Sequence, residues 1–569
     1  MTSDRPRLAI AAAAGLSVLM LAMPAKAQQG LSGAYLAARH ASMYGDYRAA
    51  AQYYGEALVR DPSNPRLLEN ALTAYVGLGQ VDKAVPVARR LESGANTSQM
   101  ANLVIVVEQA RRGDWAQFLA DLEAGRKTAP LVDALLAAWA HFGEGQMSEA
   151  LAAFDAAAET TGLKAFGLYH KALALAAAGD FEGADRILSG EAEGPLRATR
   201  RGIIAHAQVL SQLERNGAAI ELIDATFGIE LDPGIAGLRA RLAAGETLAF
   251  DIVRDATDGA SEVLYTVAGA LNGDAVDSYT LMYARLAEYL APSNADAILL
   301  AATLLEAQER YELAIETYAH VPSDDPAFYA AELGRAEAMR RAGDVEGAIS
   351  VLRGLTEDFP DVPIVHVTLG DTLRGEERYD AALEAYDAAI ALFEDPAQPQ
   401  WIVYYARGIA HERLDMWPEA EADFREALEL QPDQPQVLNY LGYSFVEMQT
   451  NLDEALGMIE RAVEARPGDG YITDSLGWVL YRLGRYGEAV PHMERAAELM
   501  PIDPIVNDHL GDVYWAVGRK TEARFQWRRA LSFDPEEEEA ERIRRKLEVG
   551  LDRVLEEEGA PPLSAANDG

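Results

Sequence analysis

The sequence predicts an all-α fold, an array of helical repeats closed by a polar C-terminal helix. Three observations predict it. Between Pro435 and Pro535 one phrase recurs as LNYLGYSFVEM, DSLGWVLYRLG and DHLGDVYWAVG. Gly477 lies 35 residues after Gly442, and Gly511 lies 34 after Gly477, so the phrase is periodic. Alanines also keep fixed offsets, Ala455, Ala489 and Ala523, then Ala462, Ala496 and Ala530, before each unit closes on Pro467, Pro501 or Pro535. After Pro535 the composition changes to EEEEAERIRRKLEVGLDRVLEEEG, whose charges at helical spacing suit the solvated end of a repeat array.

A period near 34 with this L-G…A…A…P order resembles the tetratricopeptide repeat (TPR), two antiparallel helices per unit, and the resemblance implies an α-solenoid, a right-handed superhelix of helical hairpins. Packing then explains the most regular residues. The glycine at position eight of each first helix lets the second helix approach closely. Phe445, Leu480 and Tyr514 fill the groove. The first alanine of each unit keeps its second helix near its own first helix, and the next alanine admits the following unit. Gly484 and Gly518 suit the left-handed conformation that ends a helix. The prolines stop the second helices.

Composition limits the function classes. At 569 residues the chain exceeds what one hydrophobic core serves, a limit that a repeat array avoids. Acidic side chains outnumber basic ones 90 to 50, a net charge of −40, and such a surface repels phosphate backbones, so no nucleic-acid partner is expected. The acidic surplus reads first as solvation of outer helix faces. An acidic docking surface for a basic partner is the alternative. The absence of cysteine rules out disulfides, thiolate zinc sites, Cys nucleophiles and an acylated lipoprotein anchor.

At the N-terminus Arg5 and Arg7 precede an apolar run from Leu8 to Met23, then the small-residue pattern Ala25-Lys26-Ala27. Residues 1–27 read as a secretory signal cleaved near Ala27. The run is shorter than the ~20 residues that span a bilayer comfortably. The mature chain is then periplasmic, with no integral span and no lipid anchor, either free or peripheral to a membrane. A signal kept as an anchor is the alternative.

Repeats begin at once. Gly45, Tyr47, Ala50, Tyr54, Ala57 and Pro62 hold the offsets of Gly484, Tyr486, Ala489, Met493, Ala496 and Pro501. This N-terminal array spans 28–224. From 225 to 260 Pro233, Gly234, Gly237, Gly245 and Gly259 interrupt the order, giving either a degenerate repeat or a junction. Glycine in a helix interior costs ~1 kcal/mol relative to alanine, so this segment should be the less stable one. The C-terminal array spans 261–537 and carries an insertion at DPAQPQ (395–400). A capping helix takes 538–557, and 558–569 form a disordered tail.

Binding residues are expected on the concave face, at positions two, five, nine, twelve and thirteen of the first helices. The last three units place Asn439, Tyr443, Asp474, Trp478, Tyr481, Arg482, Asp508, Asp512 and Trp515 there. Aromatic and arginine side chains are common binding anchors, and their mixture with aspartate suits an extended peptide. The competing reading packs Trp478 and Trp515 between adjacent first helices. The Lys/Asn carboxylate clamp of chaperone-binding TPR domains is absent, since position five holds Tyr405, Asn439, Asp474 and Asp508.

No chemistry is expected. None of the nine histidines has another three to five residues away, and no metalloprotease, nucleophile-elbow or P-loop motif occurs. The chain therefore reads as a non-enzyme without cofactor or metal.

NYLGYSFVE, DSLGWVLYRLGRYGEA and NDHLGDVYWAVGR are similar to phrases in a family of long exported bacterial TPR proteins. Some members are outer-membrane lipoproteins that act as adaptors of a carboxyl-terminal processing protease. The lipobox cysteine of those members is missing here. The resemblance implies a scaffold of the cell envelope that binds protein or peptide partners and presents substrates to an envelope protease. The alternative is a structural subunit of an outer-membrane or polysaccharide assembly complex.

Overall fold

The computed structural model describes residues 31–93, 98–192, 194, 199–228, 231–393, 398–560 and 563. The expected signal, part of the 395–400 insertion and most of the expected tail lie outside them. Among the described residues there are 31 α-helices, one 3₁₀ turn and no strand.

Local chemistry sets the helix ends. Asp46, Asn64, Asp469 and Asp503 each accept a backbone N–H two or three residues into the following helix, which satisfies donors that have no partner inside it. Pro65, Pro363, Pro435 and Pro504 open helices, where their missing N–H does no harm. Between the helices of a hairpin, Gly484 and Gly518 adopt φ of 76° and 81°, as their left-handed role requires. Glu309, Glu377, Asp415 and Gln449 take the same turn at φ of 59°, 57°, 59° and 55° without being glycine.

The position-eight glycines do what the repeat order implies. A Cβ on Gly370, Gly408, Gly442, Gly477 or Gly511 would overlap Tyr386, Phe424, Ile459, Met493 or Trp527 of the partner helix. Ala489 is fully buried in the same way. Gly477→Val should overpack this contact by about 1–3 kcal/mol, and Ala489→Glu should bury an unpaired charge. Both variants should melt earlier and lose helical circular dichroism. Unchanged melting in either would remove the packing assignment.

The chain divides into two compact units at Asp344 and Val345. The N-terminal unit starts with six hairpins, from Leu31–Met43 with Tyr47–Arg60 to Arg200–Gln212 with Asn216–Phe227. A lone helix, Pro233–Ala243, follows, then the non-helical segment Glu246–Asp255. Later helices fold back on the early ones. Arg285, only 3% exposed, donates to the Gly77 carbonyl at 3.3 Å and to Thr317 at 2.8 Å. Tyr289 donates to Asp82 and Tyr47 to Gln308, both at 2.7 Å. Gly259 presses its backbone against the Trp139 ring. These contacts bind helices of 256–318 into the same unit as the first hairpins. Residues 225–260 therefore lie inside a compact unit and do not separate two arrays.

In the C-terminal unit, first helices Pro363–Gly375, Trp401–Arg413, Pro435–Glu447, Gly470–Arg482 and Pro504–Ala516 alternate with second helices that end before Pro432, Pro467, Pro501 and Pro535. The single capping helix expected over 538–557 is instead two helices, Glu537–Val549 and Leu551–Glu557. They break at Gly550, whose φ of 88° an L side chain rarely adopts.

Candidate functional site

The nine expected binding residues do not form an exposed surface. Trp478 is 6% exposed. Its ring stacks on His509 at 3.9 Å and on Tyr481 at 4.7 Å, and its indole N–H donates to Glu447 at 2.8 Å. Trp515 packs beside Trp527 and donates to Asp552 at 2.9 Å. Asp474 pairs with His509 at 2.9 Å. Asp512 accepts from Trp527 at 2.9 Å and from Lys546 at 2.8 Å, and Lys546 also reaches Asp508 at 2.7 Å. The expected exposure is thus corrected for Asp474, Trp478, Tyr481, Asp512 and Trp515, which are all buried. Trp478 therefore packs between adjacent first helices, against Glu447 and His509, whereas Trp515 is closed in by Trp527 of its own second helix and by Gly550 and Asp552 at the terminal helices. Asn439, Tyr443, Arg482 and Asp508 remain half-buried.

Position two behaves differently. The second residues of successive first helices include Ile364 (51% exposed), Ile402 (53%), Tyr471 (61%) and Ile505 (44%). Gln436 holds that place in the middle helix. Large apolar side chains at one repeat position, left in water in four of five units, form the candidate interaction surface. The sequence carried the signal, since position two belongs to the same face.

The N-terminal unit displays how a first-helix face holds polypeptide. The segment Glu246–Asp255 runs along the helix Arg200–Gln212. Gln208 pairs with Asp251 in both directions, its amide N–H donating to the carboxylate at 2.6 Å and its oxygen accepting the Asp251 N–H at 3.1 Å. Ser211 accepts the Leu248 N–H at 2.9 Å, and Gln212 donates to the Leu248 carbonyl. Arg201 donates to the Ile252 carbonyl at 3.1 Å. Side chains of a helix therefore satisfy the backbone of a segment that has no regular structure of its own.

The tetratricopeptide repeat family matches residues 35–100, 299–363, 367–435, 405–470, 449–504 and 475–538, together more than half of the chain. The chain is a tetratricopeptide repeat protein. A TPR repeat-containing protein of Pseudomonas aeruginosa is 28% identical over 188 residues, 33% of this TPR chain and 31% of that relative. The chain thus spans about a third of that relative's length. Among solved structures, the APC/C hetero-tetramer Cut9–Hcn1 aligns over 91% of the chain and 96% of its own at 15% identity and a TM-score of 0.37. YrrB, a TPR protein with an unusual peptide-binding site, aligns over 34% of the chain and 97% of its own at 21% identity and a TM-score of 0.29. TPR proteins bind protein or peptide partners and are generally non-catalytic scaffolds. Among the described residues no helix is long and apolar enough to cross a membrane, and no three acidic or histidine side chains are grouped to hold a metal.

Proposed function

We propose that this TPR protein is an exported adaptor of the bacterial cell envelope that docks partner polypeptides on the first helices of its C-terminal unit. The observation that carries this reading is the exposed apolar column Ile364, Ile402, Tyr471 and Ile505. An extended segment with apolar side chains at matching intervals would bury that column. The way Gln208, Ser211 and Gln212 hold Glu246–Asp255 supplies the mode, with helix side chains bonding the partner's backbone. The N-terminal pattern of Arg5, Arg7 and the Leu8–Met23 run supports export. An envelope protease and its substrates are the partners that the sequence resemblance favours.

Affinity capture from a periplasmic extract tests the reading. The full chain should retain a protein that the Ile402→Ser/Tyr471→Ser variant retains about thirtyfold less, as expected for removing two anchors worth over about 1 kcal/mol each. Both substitutions lie on exposed side chains, so melting should not change. Equal recovery by both forms would sink the docking surface, and a cytoplasmic location on fractionation would sink the envelope assignment.

A further inference from the structure

The stretch where the repeat order lapses helps to line a cavity of about 310 Å³, open to solvent on one side, in the N-terminal unit. The helices Arg200–Gln212 and Pro233–Ala243, the segment Asp251–Arg254, the turn at 291–294 with the start of the helix Ala295–Ala307, and the turn at 325–327 form its walls. Two walls meet closely at Gly234, where a Cβ would lie 2.9 Å from the Pro326 carbonyl oxygen. Ile204, Ile235, Leu238 and Ile252 give the cavity an apolar side.

Its lining holds four guanidiniums and four carboxylates, but they are not paired with one another evenly. Every lining guanidinium already has a carboxylate. Arg200 pairs with Asp232 at 2.9 Å, Arg254 with Asp258 at 2.7 Å, and Arg241 with Glu246. Arg201 is shared between Glu262 at 2.6 Å and Asp296 at 2.8 Å. Two lining carboxylates have no cation at ion-pair distance among the described residues. Asp251 accepts from Gln208, and Asp325 accepts only the backbone N–H of Ala327 at 2.8 Å. Burial holds the Asp325 carboxyl above its ordinary value, an effect that the Ala327 N–H and the more distant Arg201 offset in part and that Asp296 and Asp324 add to. A carboxylate so placed gains from a cation that arrives with the ligand.

The same chain shows how it accommodates such a group. Lys546 is fully buried, with its ammonium between Asp508 and Asp512. At about 310 Å³ the cavity lies at the small end of ligand sites, large enough for one side chain and too small for a folded partner. The net charge of −40 draws cations towards the protein.

We propose that this cavity binds an ammonium or guanidinium group on a slim apolar stem, with Asp325 as counter-ion and Ile204, Ile235 and Leu238 against the stem. The chemistry is that of a lysine or arginine side chain, or of a free alkylamine. The site lies in a different unit from the apolar column and stands or falls separately from it.

Isothermal titration of the full chain with butylamine, 1,5-diaminopentane, Nα-acetyl-lysine amide and butyrate tests it. The three cations should bind saturably and butyrate should not. Asp325→Asn should weaken the cations about tenfold or more, the loss expected for a charged hydrogen bond. Leu238→Trp, which fills the apolar side and leaves the charges intact, should weaken them as well. Tighter binding of the lysine amide would assign the site to a peptide side chain, and tighter binding of the diamine to a free amine. The proposal is overturned if no cation binds saturably, or if whichever variant melts like the parent also binds like it.

Discussion

Lys546→Met should destabilise the C-terminal unit by about 3–5 kcal/mol, the usual result of breaking a buried ion pair from one side. Methionine keeps most of the lysine stem, so packing changes little. The loss is electrostatic. Asp512, 1% exposed, keeps the Trp527 N–H but loses its ammonium. Asp508 already has one carboxylate oxygen, buried, without a partner. Arg542 stands further off, at 3.9 Å from Asp508 and 3.7 Å from Asp512, and cannot replace a 2.7 Å contact. The helix Glu537–Val549 should therefore detach first, uncovering Trp515 where Gly550 and Asp552 now cover it. Hydrogen exchange across 537–557 and thermal melting measure both effects. Adding Asp508→Asn and Asp512→Asn to Lys546→Met should restore much of the stability, because the uncompensated charges go. If Lys546→Met melts like the parent chain, this ion pair does not hold the terminal helices.

How much of this was legible depends on how local its cause is. The hairpins were legible because a glycine facing Trp527 and an alanine in a helix crossing are needed in every unit, and a requirement met every 34 residues leaves a period. Whether a side chain on the concave face meets water is not local. Trp478 and Trp515 could anchor a ligand or fill a gap, and what decides is the neighbouring first helix for Trp478 and the terminal helices for Trp515. The terminal helix misled for a related reason. Its composition is polar, yet Ile543, Lys546, Leu551 and Val554 are buried, and a lysine normally counted as solvent-facing is the most enclosed charge there. The return of 256–318 onto the first hairpins was not legible. Tyr47 and Gln308 are 261 residues apart, and nothing in the order of residues between them marks the pair. The lapse at 225–260 did show in its glycines, but its consequence lay elsewhere. Gln208, Ser211 and Gln212, on the helix before it, hold the segment that the lapse leaves without helical structure.

Acid should loosen the N-terminal unit through His170. This histidine is fully buried and close to Trp139, with 3.2 Å between the indole N–H and His170 Nδ1. Nδ1 is therefore the acceptor, the proton sits on Nε2, and it points at Thr266 Oγ1, also at 3.2 Å. Among the described residues no carboxylate faces the ring, and burial pushes the imidazole down to about 3. The folded chain keeps it neutral, while the unfolded chain protonates it below about 6.5. The contribution is thus fully present above pH 6.5 and is lost as pH falls towards 3. Between pH 6 and 5 the loss should be about 1.2 kcal/mol, within the limit of about 1.36 kcal/mol per unit for one proton. His509 in the C-terminal unit has the opposite sign. Burial alone would lower it, but Asp474, with Asp508 and Asp512 nearby, outweighs burial and holds it above its ordinary value. Its contribution is present below pH 6.5 and fades as pH rises through the folded value. Hydrogen exchange at pH 6 and pH 5, corrected for the intrinsic rates, should therefore show the helices around Trp139 and His170 losing protection while those around Trp478 do not. His170→Gln, which cannot charge, should start less stable at pH 7 and show a flatter fall. An equally steep fall in that variant would mean that another group carries the acid sensitivity.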